Sequence, residues 1–216
     1  KIEDKIDISQ IIGKNKAIIS VFPGSRKSEI EVLTPILLEF IKLMNLQYRD
    51  FKYIFHSTKT FNNLIHSYIN SKELGNCEVI CDDKIKHHIL KKSIFAVSKS
   101  GTISLEICNA KIPSIILYKM GVINFLIIRM LVKTKFANII NIAAKEEIIP
   151  ELLQSDCNAK NIFKKVSNFI ENPEKVKIQI DNTQSILKKF KTKSSSSELA
   201  AKSILRILEI KSKTHK

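Results

Sequence analysis

The chain has 216 residues, 44% of them hydrophobic, which is enough for one full domain with an apolar core. Its 36 Lys and Arg residues exceed its 21 Asp and Glu residues, and the net charge of +15 indicates an anionic partner: nucleic acid, anionic lipid or a phosphorylated substrate. The sequence has neither zinc-finger spacing nor an RNA-recognition signature with interleaved aromatic residues, so no nucleic-acid partner is expected.

Strands and helices alternate along the first half of the chain. Strands are predicted at Ala17–Phe22, Phe51–His56, Glu78–Cys81, Ile94–Val97 and Ser114–Tyr118. They are continuous apolar runs, which is typical of a parallel sheet covered by helices on both faces. We therefore predict an α/β, Rossmann-like fold with additional helices at the C-terminus, in which ligands bind at the carboxyl ends of the strands.

The first helix is predicted to open with a capping box formed by Ser28 and Glu31 and to end near Leu46. Pro35 is expected either to kink this helix or to separate a short turn from it. Further helices are predicted at 61–71, 84–92, 102–110 and 158–170, after Asn172-Pro173 to about residue 190, and at 198–210.

These elements divide the chain into three predicted regions. Residues 1–16 form a polar approach segment or linker, residues 17–190 form the α/β domain, and residues 198–211 form a final helix. The polar start resembles no signal peptide, and the four cysteines form no staple pattern, so we expect reduced thiols in a cytoplasmic protein. No histidine has a carboxylate or Cys at ligand spacing, and neither a metal nor a cofactor is expected.

The turn after the first strand is a candidate anion site. It contains Pro23, Gly24 and Ser25, and it is followed by Arg26, one of only four arginines in a Lys-rich chain. The planar, bidentate guanidinium suits a phosphate better than an ammonium does. The alternative is an Arg that merely covers a helix N-terminus.

A second candidate turn, Ser100-Gly-Thr102, follows the fourth strand. Gly101 permits close backbone approach and an unusual φ, two hydroxyls flank it, and the N–H groups of the next helix would favour a phosphate. Glu106 lies one turn deeper on the same helix face, where its carboxylate can accept hydrogen bonds from two sugar hydroxyls. The alternative is a plain strand–helix turn.

The stretch from Val122 to Val132 is strongly apolar and is followed by Lys133 and Lys135. It is too short and too interrupted to span a bilayer. Two interpretations stay open: a buried or capping helix, or a helix at a membrane surface with its basic residues facing anionic headgroups.

Five short motifs, in the same order and spacing, resemble those of the lipid-A-disaccharide synthases. Phe22-Pro-Gly-Ser-Arg26 with Glu29-Ile30 is similar to the family's L-P-G-S-R-x-x-E followed by Ile or Val, and Ser100-Gly-Thr102 with Leu105-Glu106 and Pro113 is similar to its S-G-T-x-x-L-E…P. The other three resemble its Y-K strand end, its L-V-K run with a later Asn, and its P-E-L-L-Q run: Tyr118-Lys119, Leu131-Val-Lys-Thr-Lys-Phe136 with Asn141, and Pro150-Glu-Leu-Leu-Gln154.

The resemblance implies the C-terminal, nucleotide-sugar-binding half of a GT-B glycosyltransferase, with 198–211 as a helix that crosses back to the other half. The family transfers 2,3-diacylglucosamine from UDP-2,3-diacylglucosamine to 2,3-diacylglucosamine 1-phosphate (lipid X), which yields the β-1,6 lipid A disaccharide precursor and UDP. The resemblance also implies the missing N-terminal half as a partner, a peripheral position at the cytoplasmic face of the inner membrane, and a possible homo-oligomer.

Site roles follow from the same motifs. Arg26, with Gly24 and Ser25, and the Ser100-Gly101-Thr102 turn are expected to hold the UDP phosphates, and Arg26 is the expected catalytic residue because it would stabilise the leaving diphosphate. The resemblance further implies that Glu106 binds the ribose hydroxyls and that Asn141 and Gln154 line the nucleotide or donor-sugar side. The general base would come from the N-terminal half.

Three residues depart from the family pattern. Lys99 replaces a small residue before S-G-T and is expected to pair with a phosphate or to crowd the turn, while Ile140 and Lys145 replace Pro and Gly around Asn141.

Two alternatives to the synthase stay open. One is a related GT-B enzyme on another UDP-sugar, which the P-E-L-L-Q run disfavours, and the other is a non-catalytic UDP- or lipid-binding fragment.

Overall fold

The computed structural model describes Gly13 and residues 17–121, 134–190 and 196–214. Within these residues, six parallel strands form one sheet in the order β3-β2-β1-β4-β5-β6. The strands are β1 Ala17–Phe22, β2 Phe51–His56, β3 Cys77–Ile80, β4 Ser93–Lys99, β5 Ser114–Tyr118 and β6 Glu151–Leu153. The predicted α/β, Rossmann-like fold is confirmed.

Helices follow the strands in regular alternation. They are α1 Lys27–Gln47, α2 Asn62–Asn70, α3 Asp83–Lys92, α4 Ile103–Asn109, α5 Ile139–Ala144, α6 Ala159–Ile170, α7 Pro173–Phe190 and α8 Ser196–Thr214, with 3₁₀ turns at Lys59–Phe61 and Gln154–Asp156. Asp82 caps α3, Asn138 caps α5 and Asn158 caps α6 through side-chain oxygens that accept backbone N–H groups.

Apolar side chains cover both faces of the sheet. Ile19 and Val21 of β1 point into the larger core, which α1, α2 and α6 close. Ile18 and Phe22 point to the opposite face, where α3, α4, α5 and α7 pack. Because successive strand residues alternate between faces, a continuous apolar strand is buried on both sides, as the sequence predicted.

Four local details differ from the sequence predictions. No short turn is separated from α1 at Pro35, because the helix runs through this residue and buried residues such as Leu33 and Leu37 anchor it on both sides, while a kink at Pro35 stays a prediction. The helix begins at Lys27, so Ser28 lies in its first turn and is not the cap. Strand β3 ends one residue earlier than expected, and the short strand β6 was not predicted because Pro150 and three residues give too little pattern.

Several predicted regions lie outside the described residues: 1–16 except Gly13, and 122–133 with the apolar stretch and its Lys133. Among the residues that the structure describes, no helix is both long and apolar enough to cross a membrane. Helix α8 covers the predicted 198–211, and the described side chains of Ile204, Leu205 and Ile207 are more than half exposed. The division into regions stays a prediction.

Candidate nucleotide-sugar site

A cavity of about 270 Å³ lies at the carboxyl edge of the sheet, above β2, β1 and β4. The chain leaves β1 toward β2 and leaves β4 toward β5, so the cavity stands where the strand order reverses, the usual ligand position in such sheets. Its lining comes from the segments after these three strands and from α3: Phe22, Gly24, Ser25, Glu29, His56, Ser57, Thr58, Asp83, Lys86, Lys99, Ser100, Gly101, Thr102 and Ile103.

The turn after β1 is shaped by Gly24 and Glu29. Gly24 has φ +121°, and a Cβ there would lie 2.5 Å from Oε2 of Glu29. That same carboxylate oxygen accepts hydrogen bonds from the N–H groups of Ser25 (3.0 Å) and Arg26 (3.4 Å). Glu29, rather than the predicted Ser28 and Glu31, therefore provides the acidic side of the helix cap.

Lys99 closes this arrangement from β4. Its Nζ lies 2.8 Å from Oε1 of Glu29, and both side chains are largely buried, with 22% and 13% exposure. Burial raises the pKa of Glu29, but the Lys99 ammonium and the N–H groups of Ser25 and Arg26 outweigh it and leave the pKa below its ordinary value. Lys99 thus stands in the cavity wall as a cation held by Glu29.

Arg26 occupies the N-cap position of α1 with its side chain 79% exposed. Its guanidinium lies 3.7 Å from Oε1 of Glu29 and is not among the cavity-lining groups of the described residues. The residue is therefore at the rim of the cavity, next to Ser25, with a guanidinium that solvent reaches.

The Ser100-Gly101-Thr102 turn brings three predicted site residues to the cavity. The Ser100 hydroxyl donates to the Ala137 carbonyl oxygen at 2.8 Å, which ties the turn to the loop before α5. Gly101 does not have a positive φ, so the turn does not use the unusual φ that a glycine permits. A Cβ at Gly101 would meet no atom within 4 Å among the described residues. The Thr102 hydroxyl makes no hydrogen bond to the described part of the chain, so this turn presents open space and an available hydroxyl.

Glu106 reaches the cavity only through Lys86. The Nζ of Lys86 lies 3.1 Å from Glu106 and 3.3 Å from Asp83, and Lys86 lines the cavity, whereas the half-exposed Glu106 does not. Burial opposes the charged form of Lys86, but the two carboxylates outweigh it and raise its pKa. Sequence reasoning missed Lys86, since its place depends on how α3 packs against β1.

Asn141 is completely buried and has a structural set of partners. Its amide nitrogen donates to the Ile149 carbonyl oxygen (2.7 Å) and to Oε1 of Glu151 (2.8 Å), and its Oδ1 accepts from the N–H groups of Ile148 and Ile149 at 2.9 Å each. All four hydrogen-bonding positions of this side chain are therefore engaged within the protein. Asn141 does not line the cavity, and ligand contact by Asn141 stays a prediction.

Gln154 follows β6 at the same edge of the sheet, with φ +50°, and its Oε1 accepts from the Met120 N–H at 3.0 Å. It lies outside the cavity lining, and its contact with a ligand also stays a prediction. The structure thus brings together Gly24, Ser25 and the Ser100-Gly101-Thr102 turn, and it leaves Arg26, Glu106, Asn141 and Gln154 around them.

His56, the last residue of β2, lines the cavity, although the sequence predicted no site role for any histidine. Its ring stacks on Phe22 with centroids 4.1 Å apart and an interplanar angle of 9°, and its Nε2 lies 2.9 Å from Oγ of Ser20. Burial, aided by the Lys86 ammonium, lowers the pKa of His56 to about 3, so the imidazole is neutral. Its position at the carboxyl end of a strand was the signal that could have identified it.

A larger open groove of about 790 Å³ runs along α6 and the end of α1, but none of the predicted site residues lines it. Among the described residues, no group of three or more His, Cys, Asp or Glu side chains could hold a metal ion.

Solved structures share this architecture. The UDP-GlcNAc 2-epimerase from Neisseria meningitidis bound to UDP-GlcNAc superposes with a TM-score of 0.58 at 17% identity, over 85% of this chain and 47% of that one. The C-terminal domain of a glycosyl transferase group 1 family protein from Francisella tularensis gives 0.53 at 14% identity, over 80% of this chain and 85% of that one. The chain thus has the α/β Rossmann-like fold that GT-B glycosyltransferase domains share.

Sequence comparison defines the family. The family described as Lipid-A-disaccharide synthetase matches residues 2–205. The lipid-A-disaccharide synthase of Sulfurihydrogenibium sp. (strain YO3AOP1) is 31% identical over 215 residues, 96% of this chain and 55% of that protein. The synthase of Rickettsia prowazekii (strain Madrid E) is 33% identical over 195 residues, 89% and 51% respectively. The chain belongs to the lipid-A-disaccharide synthase family, and it spans about half the length of these curated relatives.

Proposed function

We propose that this chain is the nucleotide-sugar-binding half of a lipid-A-disaccharide synthase, a hexosyltransferase. The whole enzyme would transfer 2,3-diacylglucosamine from UDP-2,3-diacylglucosamine to 2,3-diacylglucosamine 1-phosphate, forming the β-1,6 lipid A disaccharide precursor and UDP. Family membership supports the reaction. The observation that carries the proposal is the convergence of the Gly24-Ser25 turn, the Ser100-Gly101-Thr102 turn and Lys99 on one cavity.

These groups suit a diphosphate. Lys99 supplies a partly buried positive charge, the Thr102 hydroxyl can donate, and the absence of a side chain at Gly101 leaves room for phosphate oxygens. Developing negative charge on a leaving UDP would be stabilised by such fixed donors, since little reorganisation is needed at the moment of transfer. The neighbours bound to UDP-GlcNAc or UDP are consistent with this ligand class.

Arg26 is the proposed catalytic residue of this half. Its exposed guanidinium is held at the cavity rim by the short turn that begins at Gly24, and it could fold over the diphosphate in a bidentate contact. Because its side chain is 79% exposed and, among the described residues, is paired only with Glu29, its loss should affect rate and nucleotide binding more than folding.

The remaining predicted residues have proposed roles around this centre. Glu106 would accept hydrogen bonds from the ribose hydroxyls. Its ion pair with Lys86 would connect the ribose to the cavity wall. Asn141 would act by fixing the loop between α5 and β6, and Gln154 by fixing Met120, both on the donor-sugar side. The general base that deprotonates the acceptor hydroxyl is assigned to the N-terminal half of the enzyme.

The proposal extends to partners and location. Acylated substrates, lipid X and UDP-2,3-diacylglucosamine, would be met at the cytoplasmic face of the inner membrane, where the net charge of +15 favours anionic headgroups. The chain would act there as a peripheral protein with its N-terminal half. Helix α8, whose apolar side chains Ile204 and Leu205 are exposed, is the proposed contact with that half or with a second copy.

The first test is a calorimetric titration of the chain with UDP, run beside Arg26→Ala and Glu106→Ala. Arg49→Ala is the matched control, because Arg49 is an exposed arginine at the opposite edge of the sheet, just before β2. We expect roughly tenfold weaker binding in both site variants, since each removes a charged hydrogen-bond partner, and wild-type binding in the control. A folded wild-type chain that does not bind UDP would contradict the proposed pocket.

The second test supplies the N-terminal half and measures disaccharide formation. Activity should appear only when both halves are present, and Arg26→Ala should lower kcat. A reconstituted protein that binds UDP but forms no disaccharide would favour a non-catalytic nucleotide-binding protein. Turnover of another UDP-sugar instead would favour a different GT-B enzyme.

A further inference from the structure

A chain of three hydrogen bonds fixes the protonation of His56. The Ser93 hydroxyl donates to the Ile89 carbonyl oxygen at 2.9 Å, and the Ser93 N–H bonds to Leu90 instead, so the hydroxyl is the donor that satisfies Ile89. The Ser20 hydroxyl lies 2.8 Å from Oγ of Ser93. Because a hydroxyl has one hydrogen and that of Ser93 is engaged, Ser20 must be the donor to Ser93.

The chain of hydrogen bonds continues from Ser20 to the imidazole of His56. Nε2 of His56 lies 2.9 Å from Oγ of Ser20, whose hydrogen is directed to Ser93, so Nε2 must carry the hydrogen of this bond. The neutral ring then has a lone pair, and no hydrogen, on Nδ1. Ser20 is completely buried, which holds the ring and its tautomer in place together with the Phe22 stack.

Nδ1 of His56 is a buried acceptor without a donor. The residue is 7% exposed and lines the cavity, and Nδ1 has no hydrogen-bond partner among the described residues. The nearby cation, Lys86, is directed to Glu106 and Asp83. A buried polar atom that lacks a partner among the described residues, on a side chain that lines a cavity, is a position for a ligand group.

We propose that Nδ1 of His56 accepts a hydrogen bond from a neutral donor of the bound nucleotide, either the imide N–H of the base or a ribose hydroxyl. Phosphate oxygens are chiefly acceptors, so a bare lone pair at this end of the cavity favours a neutral N–H or O–H donor over a phosphate. Strands β2 and β4 flank β1 at spacings of about 4.8 Å, which sets His56 roughly 10 Å from the Ser100 turn. One nucleotide can therefore meet both ends.

This inference rests on the proposed function and adds a specificity residue to it. The test compares wild type with His56→Phe, which keeps an aromatic ring to stack on Phe22, using UDP and inorganic pyrophosphate as probes. We expect UDP to bind about five- to tenfold more weakly to the variant, the usual effect of one neutral hydrogen bond, and pyrophosphate to bind equally. Equal UDP affinity, or equal weakening of both probes, would overturn the inference.

Three nucleotide analogues identify the donor. N3-methyl-UDP lacks the imide hydrogen, and 2′-deoxy-UDP and 3′-deoxy-UDP each lack one ribose hydroxyl. The analogue without the donor should lose affinity for wild type but not for His56→Phe, because the two changes remove the same bond. Full affinity of wild type for all three analogues would refute the assignment.

A ¹⁵N spectrum of the His56 ring provides a readout independent of affinity. It should show a hydrogen on Nε2 and a bare Nδ1 in the free chain, and the Nδ1 signal should move on addition of UDP. An Nδ1–H tautomer, or an unmoved Nδ1 signal in a UDP-saturated chain, contradicts this inference alone. Failure of wild type to bind UDP at all would overturn the proposed function with it.

Discussion

Nζ of Lys99, at the end of β4, lies 2.8 Å from Oε1 of Glu29 in the first turn of α1. This ion pair joins the two turns that form the cavity, and the other oxygen of the same carboxylate accepts the Ser25 N–H. Glu29 thus does two things: it shapes the turn after β1 and it holds a cation where a diphosphate would bind. Lys99 departs from the family pattern, and Glu29, which matches that pattern, accommodates it by forming the ion pair.

Replacing Lys99 with Met should weaken UDP binding by about tenfold or more, because a charge-assisted hydrogen bond to phosphate contributes about 1.5–3 kcal/mol. The loss should be larger at low ionic strength, where the attraction is screened least. Calorimetry at two salt concentrations measures both effects. Lys72→Met is the control, since Lys72 forms a comparable ion pair with Glu39 on the surface. An equal effect in both variants would show that Lys99 has no special part in binding.

The two turn glycines should respond oppositely to alanine. Gly24→Ala places a Cβ 2.5 Å from Glu29 at φ +121°, and we expect it to destabilise the fold by about 2 kcal/mol. Gly101→Ala meets open space and has an ordinary φ, so its stability should be unchanged, while its methyl group narrows the cavity and weakens UDP binding. Chemical denaturation and UDP titration of both variants test this. A destabilised Gly101→Ala with normal UDP affinity would contradict the assigned roles.

His56 should make the stability of the chain depend on pH. Its pKa in the folded state is about 3, against 6.5 ordinarily, so between these values the unfolded chain binds the extra proton and stability falls as the pH decreases. Between pH 7 and pH 5, His56 should lower the free energy of unfolding by about 2 kcal/mol. Lys86 and Asp83 also face the cavity and remain in His56→Phe, so the variant isolates the imidazole. Denaturant midpoints of wild type and His56→Phe at both pH values measure this effect. An equal loss of stability in the two proteins would exclude a contribution from His56.

The sequence predicted the strands β1, β2 and β5 to the residue and placed two turns at one sheet edge, because parallel apolar strands leave few arrangements. It could not predict that Lys86 and Glu106 meet, since the partner of a long side chain depends on how α3 and α4 pack. Asn141 shows a second limit: a family motif marks the residue but not whether its amide binds ligand or backbone. Lys145, where the family tends to place Gly, takes φ +61° at the end of α5.

Ser93→Ala should alter nucleotide binding although Ser93 does not line the cavity. Removing the Ser93 hydroxyl takes away the acceptor of Ser20, which can then donate to Nε2 of His56 and move the ring hydrogen to Nδ1. An Nδ1–H group cannot accept the proposed hydrogen bond, so UDP affinity should fall severalfold although no residue that lines the cavity has changed.

The ¹⁵N spectrum of His56 shows the tautomer directly. Thr183→Val removes a buried hydroxyl that donates to a helix carbonyl oxygen, as that of Ser93 does, and serves as the control for a lost buried hydroxyl, because Thr183 lies in α7 and does not belong to the His56 chain of hydrogen bonds. A Ser93→Ala chain that keeps its Nε2–H tautomer and still loses UDP affinity would show that Ser93 acts through packing, not as a positioning residue for His56.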